Sequence, residues 1–194
     1  MVKYSFPLLL LICGIGFSGC SDADGATVSR QATAVSKEVA TASNEAAEGK
    51  YQCIPCGNDC DKERYDAPGE CRVCHMRLVE VASVGFGTVD PSTICEYIQS
   101  HPGVILLDVR TKKEFEGKAD PDFGTLKNAI NVPIQELEAR MGELVAYKDK
   151  EILVYCSHSR RSPQASYLLT QNGFRHVVNM AGGMSVVKKS DCVK

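Results

Sequence analysis

The sequence lacks a surplus of positive charge: 22 lysine and arginine residues face 24 aspartate and glutamate residues, and the net charge is -2. Proteins that bind a phosphate backbone need such a surplus, so the composition argues against nucleic acid as a partner. Internal repeats are also lacking. The 194 residues suffice for one domain of ordinary size with small additions, but not for two large domains.

The chain further lacks an apolar run long enough to span a bilayer comfortably. The apolar stretch at residues 7–17 follows a positively charged amino end and precedes small residues, which is the layout of a secretory signal. Residues 17–20 resemble the lipobox of bacterial lipoproteins, in which the cysteine, here Cys20, is lipidated and becomes the first mature residue. Phe17 stands where that family favours an aliphatic residue. We predict a lipoprotein signal peptide at residues 1–19, with an ordinary cleaved signal or an uncleaved anchor as the alternative.

Residues 20–49 contain few apolar side chains and are dominated by Ala, Ser, Thr and Glu. Such a segment buries too little apolar surface to offset its chain entropy, so we predict a disordered tether. Lipidation of Cys20 would hold the chain to a membrane in the cell envelope. Ser21, directly after that cysteine, favours an outer-membrane lipoprotein that faces the periplasm.

The next segment, residues 50–81, is rich in cysteine. Two Cys-x-x-Cys pairs, Cys53/Cys56 and Cys71/Cys74, are separated by 14 residues. Four thiolates can close a tetrahedral zinc site, and metal binding would stabilise a segment that is too short for a core of its own. We predict a metal-stabilised module with these four cysteines as ligands.

Other interpretations of this segment stay open. Disulfides form readily in exported proteins, and a redox pair is a third possibility. A closed set of four sulfurs favours zinc, whereas Cu(I) would be served by fewer thiolates with Met76 or His75. We expect these two side chains and the fifth cysteine, Cys60, to be packing or solvent-exposed residues rather than ligands.

The same segment resembles the small heavy-metal-binding domain of bacterial efflux proteins and of some lipoproteins. The resemblance is carried by Tyr51, Cys53, Pro68-Gly69, Cys71, Cys74 and the run from Met76 to Val79. It departs from that family at Ile54, Arg72 and His75. The resemblance implies a soft heavy metal in the module and a metal-efflux or redox protein as partner.

From residue 84 to the end, short apolar runs alternate with helical segments. "VILLDV" (104–109), "AINVP" and "EILVYC" predict strands, and "HVVNM" predicts the last one. This alternation is typical of an α/β domain with a mostly parallel sheet between helical layers. Residues 134–147 predict an amphipathic helix with one apolar side formed by Ile134, Leu137, Met141, Leu144 and Val145.

Two helix starts are marked by capping residues. Asp90 with Pro91 predicts a helix that ends near Gly103, and Thr111 with Glu114 forms the pattern of a capping box. A helix closed by Gly173 is predicted to follow Ser162-Pro163.

Cys156 is predicted at the carboxyl end of a buried strand, where open α/β sheets bind ligands. The loop to Arg161 must curl back at the amino end of the next helix, where backbone N–H groups and the helix dipole favour negative charge. Together with Arg160 and Arg161, this favours a nucleophilic thiolate in an anion-binding loop. The alternatives are a buried, inert cysteine and a phosphatase. The loop is similar to that of tyrosine and dual-specificity phosphatases, but that resemblance implies five residues between cysteine and arginine, whereas four stand between Cys156 and Arg161.

At this point the chain resembles the rhodanese family of sulfurtransferases. The motifs are "LLDVRTKKEF", "GTLKNAINVP", "CSHSRRS" and "NMAGGM", in that order. The resemblance implies a rhodanese-like three-layer domain in which Cys156 receives a sulfane sulfur as a persulfide, without any cofactor. It also implies that residues 157–161 (Ser157, His158, Ser159, Arg160 and Arg161) bind the donor, with the loop amides around the sulfur and Arg161 near the anion.

Several residues depart from the family or have expected roles outside the loop. Thr125 and Asn128 stand where histidine and glycine are usual. We expect Asp108 and Arg110 to form an ion pair that ties the strand end to Glu114. Cys95 is expected in the core, and Cys192 is either a resolving thiol for the persulfide or an unstructured tail thiol.

The sequence therefore predicts a lipid-anchored envelope sulfurtransferase with a metal-binding module in front of the catalytic domain. Its partners would be a small anionic sulfur donor, such as thiosulfate, and a thiol or cyanide acceptor. The alternative is a metal-handling lipoprotein in which the rhodanese fold is a docking or sensing module without turnover.

Overall fold

The computed structural model describes residues 49–188 and 190–194. The predicted signal peptide, Cys20 and nearly all of the predicted tether lie outside these described residues. The described residues belong to one compact unit. No helix among them combines the length and the apolar character that crossing a membrane would need.

Residues 50–81 fold around a small antiparallel pair of strands, β1 (Tyr51–Cys53) and β2 (Leu78–Glu80). A 3-10 turn at Asp59–Lys62 lies between them. The core cluster of this segment consists mainly of sulfur-containing side chains, namely Cys53, Cys56, Cys60, Cys71, Cys74 and Met76, together with Leu78. Ile54 and Val79 are buried as well, but this is still little aliphatic surface for thirty residues, so the state of the thiols matters for stability.

A five-stranded sheet forms the centre of the remaining chain. Its strands are β3 (Phe86–Val89), β4 (Ile105–Asp108), β5 (Ile130–Asn131), β6 (Glu151–Tyr155) and β7 (His176–Met180). They lie in the order β3-β7-β6-β4-β5, and every neighbouring pair is parallel. The prediction of an α/β fold with a mostly parallel sheet is confirmed.

Helices cover both faces of this sheet. In chain order they are α1 (Ile94–Ser100), α2 (Lys112–Phe115), α3 (Ile134–Leu137) and α4 (Arg161–Gln171). Side chains of β6 alternate between two hydrophobic clusters: Ile152 and Val154 pack with α3 and α4, whereas Leu153 and Tyr155 pack with α1. This alternation explains why β6 is apolar from Ile152 to Tyr155, since both of its faces are covered.

The predicted helix starts are confirmed, and one end is shifted. The Asp90 carboxylate accepts a hydrogen bond from the Ser92 amide at 2.7 Å, and Thr111 with Glu114 forms a complete capping box at the start of α2. The first of these helices opens with a 3-10 turn at Pro91–Thr93 and ends at Ser100, not near Gly103.

The prediction of one long helix over residues 134–147 is wrong. Helix α3 ends at Leu137, and a 3-10 helix covers Met141–Tyr147. Gly142 lowers the helix propensity of this stretch, and a 3-10 helix has three residues per turn, so the apolar side predicted for an α-helix is not maintained. Leu144 is buried, whereas Val145, predicted on the same side, is 53% exposed.

A disulfide joins Cys95, in α1, to Cys192 near the carboxyl end. Cys95 does pack against the core, as expected, but as a disulfide partner. Both interpretations of Cys192 as a free thiol are wrong, because its sulfur is bonded to Cys95. The bridge and a backbone pairing between Leu126 and Val193 hold the end of the chain against the domain.

Candidate active site and cysteine cluster

Cys156 follows β6 directly, and its side chain is buried. Helix α4 begins five residues later, at Arg161, so the loop between strand and helix is one tight turn. The Ser162 hydroxyl, in the first turn of α4, donates a hydrogen bond to the Cys156 sulfur at 3.4 Å. This contact, which sequence reasoning missed, stabilises a negative charge on the sulfur.

The Gly182-Gly183-Met184 segment lies directly against this loop. The Met184 and Ser185 amides donate to the Cys156 and Ser157 carbonyls at 2.8 and 2.9 Å. Gly183 has a φ of 70°, and a Cβ built on it would lie 2.5 Å from the Ser157 backbone. Only glycine allows this approach, which fixes the carbonyls on one side of the loop.

One carboxylate ties the loop to two helices. Both terminal guanidinium nitrogens of Arg161 donate to Glu114 at 2.7 Å, and the Ser157 hydroxyl donates to the same carboxylate at 2.8 Å. The Thr111 amide and hydroxyl add donors at 3.0 and 2.7 Å. Sequence reasoning identified Glu114 as a helix cap and missed this second role.

The charges of this group stabilise one another. The Arg161 guanidinium, more than the opposing effect of burial, holds the pKa of Glu114 well below its ordinary value, and the Thr111 and Ser157 donors act in the same direction. The same contact raises the pKa of Arg161. Glu114 is therefore an anion and Arg161 a cation at every pH at which the protein is expected to work.

The loop amides are left without acceptors. Within the described residues, the backbone N–H groups of Ser157, His158, Ser159 and Arg160 donate to no carbonyl and to no side chain. These donors lie in one turn at the start of an eleven-residue helix. Successive unpaired N–H groups at a helix start form a site for an anion, so the loop can hold a negatively charged sulfur next to Cys156.

The side chains of the predicted donor-binding residues point in different directions. The hydroxyls of Ser157 and Ser159 are used by Glu114 and by the Cys56 carbonyl, so these serines offer only their amides. His158 is exposed and stacks edge-on against Phe123. Arg160 is exposed as well, and within the described part of the chain it forms no ion pair.

The predicted ion pair between Asp108 and Arg110 is present, and both side chains are almost completely buried. Arg110 donates to both carboxylate oxygens at 2.7–3.0 Å. It also donates to the Gly124 carbonyl at 2.9 Å and to the Thr125 hydroxyl at 3.0 Å. The expected tie to Glu114 is wrong, because that carboxylate is occupied by Arg161 and Ser157.

Two departures from the family are accommodated locally. Thr125 accepts the hydrogen bond from Arg110 and donates its own hydroxyl to the Phe115 carbonyl at 3.0 Å. Asn128, where glycine is usual, has a φ of 63°. Asparagine tolerates this left-handed conformation better than most residues, so the turn survives the substitution.

The structure gathers five thiols in residues 50–81, in two overlapping sets. The sulfurs of Cys53, Cys60, Cys71 and Cys74 all lie within 4.8 Å of one another. We call these four residues the thiol tetrad. Of the four predicted ligands, the structure brings together Cys53, Cys71 and Cys74, but it places Cys60 in the tetrad where Cys56 was predicted.

The physical reason is the 3-10 turn at Asp59–Lys62, which carries Cys60 back to the other cysteines. Asp61, in the same turn, accepts hydrogen bonds from the Cys56 and Gly57 amides and so holds Cys56 at the edge of the cluster. The sequence does contain a signal for Cys60: five cysteines lie between residues 53 and 74, and this density could have led to the prediction that all five cluster.

The thiols of the cluster differ in acidity. Burial, with Asp61 as a further cause, raises the pKa of Cys53, and burial also raises the pKa of Cys56 and of Cys60. Burial acts on Cys71 in the same direction but is outweighed by backbone N–H donors from Cys74 and Val73, which lower its pKa to about 7. A turn that donates N–H groups to sulfur is suited to hold a thiolate.

The cysteine cluster touches the loop after Cys156. The Ser159 hydroxyl donates to the Cys56 carbonyl at 2.6 Å, and Ser159 has a φ of 51°. A cavity of about 410 Å³ lies beside this contact, lined by residues of both parts that include Cys60, Cys74 and Arg160. Residues far apart in sequence thus form one continuous region.

Comparisons with known proteins point to a single family. The Rhodanese-like domain family matches residues 95–190 of this chain. A protein of Allochromatium vinosum named "Sulfurtransferase" is 30% identical over 96 residues, which are 50% of this chain and 82% of that protein. A rhodanese-related protein of Thermoplasma volcanium, whose crystal structure is known, is 31% identical, and the match covers 51% of this chain and 87% of that one with a TM-score of 0.42.

Another group of relatives carries a different name. The "tRNA uridine(34) hydroxylase" of Legionella pneumophila (strain Corby) is 30% identical over 138 residues, which cover 63% of this chain and 52% of that protein. The chain thus spans about half the length of this relative.

Proposed function

Because the chain belongs to the rhodanese-like domain family, we propose that it is a sulfurtransferase in which Cys156 takes a sulfane sulfur from thiosulfate or a similar donor. The observation that carries the proposal is the row of unpaired amides at residues 157–160, directly after the cysteine. These donors suit a persulfide anion, and the Glu114–Arg161 pair keeps their loop in place.

The reaction balances without a cofactor. The Cys156 thiolate attacks the outer sulfur of thiosulfate, the sulfur–sulfur bond breaks, and its electron pair leaves with sulfite. Cys156 then carries the outer sulfur as a persulfide anion. Attack by cyanide or by a thiolate on that sulfur forms thiocyanate or a new persulfide and restores the Cys156 thiolate.

Steady-state assay of thiocyanate formation tests this function. The purified chain should convert thiosulfate and cyanide to thiocyanate and sulfite, and Cys156→Ser should abolish turnover. A matched control is Cys56→Ser, which removes a thiol near the loop and should keep turnover. Equal rates for the wild type and Cys156→Ser would refute the proposal.

We do not extend the proposal to tRNA, although one group of relatives is named for it. The net charge of -2 offers no basic surplus for a phosphate backbone. The acceptor that we propose is a small thiophilic molecule or a protein thiol.

We also propose that residues 50–81 form a metal-binding module for zinc or another soft metal, with Cu(I) as a further candidate. The fit is supported by the sulfur spacing: zinc–sulfur bonds of about 2.3 Å give a tetrahedron with edges of about 3.8 Å. The Cys53 and Cys60 sulfurs are 3.8 Å apart. Of the predicted ligands, Cys53, Cys71 and Cys74 are retained, and Cys60 replaces Cys56 as the fourth. Such an ion would add structural stability and would neutralise thiolates.

The module supports a second candidate function, that of a metal-handling lipoprotein. In this function the α/β domain is a docking or sensing module and does not turn over a sulfur substrate. A metal-efflux or redox protein would then be its partner. Thiocyanate formation by the wild-type chain separates the two functions, because the metal-handling function expects metal binding without turnover, whereas the sulfurtransferase proposal expects turnover that Cys156→Ser abolishes at unchanged metal content. Intact disulfides across the cluster cysteines, seen by mass spectrometry, would contradict the metal site.

We propose that the chain is anchored in the cell envelope through a lipid on Cys20, as an outer-membrane lipoprotein facing the periplasm. The Cys95–Cys192 disulfide supports an oxidising compartment. Labelling with a radioactive fatty acid tests the anchor: wild-type protein should be labelled, and Cys20→Ala should not.

A further inference from the structure

Two further potential metal ligands of the cysteine cluster lie outside the thiol tetrad. These are the Cys56 sulfur and the Asp61 carboxylate. They form a second donor set with Cys53 and Cys60, and the ligand atoms of this set also lie within 4.8 Å of one another. The two sets therefore share one edge, the pair Cys53 and Cys60.

The distances within the second set suit an ion as well as those of the tetrad do. The Cys60 sulfur is 3.9 Å from the Cys56 sulfur and 3.8 Å from the Cys53 sulfur. The Asp61 Oδ1 atom lies 3.2 Å from the Cys53 sulfur and 3.4 Å from the Cys56 sulfur. Bonds of about 2.3 Å to sulfur and about 2.0 Å to oxygen give tetrahedral edges of about 3.8 and 3.5 Å.

The Asp61 carboxylate is held in a fixed orientation. Its Oδ2 accepts from the Cys56 and Gly57 amides at 3.0 and 2.7 Å, and its Oδ1 shares the Cys56 amide at 3.1 Å. With the backbone donors on one side, Oδ1 faces the two sulfurs. Hydrogen bonds of this kind orient the carboxylates that bind metals in proteins.

The charges favour two cations. With one divalent ion in the tetrad, four thiolates and the Asp61 carboxylate carry five negative charges against two positive ones, among cysteines that are all buried. With a second ion on the shared edge, the Cys56 thiolate raises the negative charges to six, and the positive charges rise to four. Buried charges require such compensation, so the group as a whole is better matched to two ions than to one.

We propose that the cysteine cluster binds two soft divalent ions, such as Zn²⁺ or Cd²⁺, which share the Cys53 and Cys60 thiolates. One ion is completed by Cys71 and Cys74, and the other by Cys56 and Asp61. This inference rests on the proposed metal binding of residues 50–81 and extends it to a second site. Each cysteine that becomes a ligand releases its proton to solvent, so loading both sites releases up to five protons.

Native mass spectrometry of the full chain, reduced and titrated with Cd²⁺, tests the inference. We expect two Cd²⁺ ions on the wild-type chain and one ion on Cys56→Ser. Cys156→Ser, which removes a thiol outside the cluster, is the matched control and should retain two. Asp61→Asn is a second variant that leaves every cysteine in place, and its second ion should bind at least tenfold more weakly.

Cadmium-113 NMR gives an independent readout on the wild-type chain. Two resonances in the range of sulfur ligation, split by coupling through the shared thiolates, are expected. One ion on the wild type, or two ions that Cys56→Ser leaves unchanged, would overturn the two-ion site and leave the tetrad proposal standing. The absence of any bound ion would overturn both.

Discussion

Replacing Glu114 by glutamine tests whether one carboxylate in helix α2 holds the loop after Cys156 and the start of helix α4 in place. Glutamine keeps the shape of glutamate but has one acceptor oxygen fewer, and it turns an NH2 group toward donors. Arg161 would lose one of its two hydrogen bonds at 2.7 Å, and Ser157 would compete for the remaining oxygen. Hydrogen bonds to charged groups contribute about 1.5–3 kcal/mol each.

The Glu114 and Arg161 side chains are 20% and 27% exposed, so water partly solvates both groups and reduces the free-energy cost of removing the charge. We therefore expect Glu114→Gln to lower the free energy of unfolding by about 2 kcal/mol at pH 7. Because the loop carries Cys156, thiocyanate formation should fall as well, by about tenfold if the loop loses its alignment.

The effect of this substitution should depend on pH. The pKa of Glu114 is lower in the folded chain than in the unfolded chain, where it is about 4.3. Its contribution to stability is therefore fully present above about pH 4.3 and is lost as the pH falls toward the folded-state pKa, at up to about 1.4 kcal/mol per pH unit. The difference between wild type and Glu114→Gln should shrink between pH 5 and pH 3.

Urea unfolding followed by circular dichroism at pH 7, 5 and 3 measures these differences. The matched control is Glu116→Gln, which removes the charge of a nearby glutamate that pairs with the surface lysines Lys112 and Lys118. It should leave stability at pH 7 unchanged within error. If Glu114→Gln behaves like this control, or if its effect is independent of pH, the role of the carboxylate is refuted.

Three further substitutions have defined outcomes. Asp108→Asn removes the buried partner of an arginine, so the free energy of unfolding should fall by about 3–5 kcal/mol in urea titrations, and a loss below about 1 kcal/mol would contradict the buried ion pair. Joint replacement of Cys95 and Cys192 by serine removes the cross-link that closes a long loop in the unfolded chain. The free energy of unfolding should fall by about 2–4 kcal/mol, and the rate of thiocyanate formation should not change. An unchanged stability would show that the bridge is not formed. Gly183→Ala puts a methyl group 2.5 Å from the Ser157 backbone and should lower both thermal stability and activity, whereas Gly103→Ala, with no atom within 4 Å of the added carbon, should change neither.

The local features of the fold could be predicted because each depends on neighbouring residues. The apolar runs at 104–109 and 151–155 predict buried strands wherever the rest of the chain lies, and the capping box at Thr111 is complete within four residues. The predicted helix over residues 134–147 shows the limit of such local patterns. Its apolar spacing fits an α-helix, but packing selects a 3-10 helix around Gly142.

The long-range features could not be predicted, because no local pattern encodes them. Glu114 meets Arg161 across 47 positions, and Ser159 meets the Cys56 carbonyl across 103. A capping glutamate has the same sequence signature whether or not an arginine approaches it from another element. The place of Cys60 among the clustered sulfurs likewise depends on how a short turn folds back, which cysteine spacing alone does not determine.

The central claim is that Cys156 carries the transferred sulfur. The most direct measurement is the intact mass of the chain after incubation with thiosulfate, followed by peptide mapping under non-reducing conditions. We expect a gain of one sulfur atom on the peptide that contains Cys156, which cyanide removes, and no gain in Cys156→Ser. A chain whose mass stays unchanged, or a sulfur found only on the cysteines of residues 50–81, would contradict it.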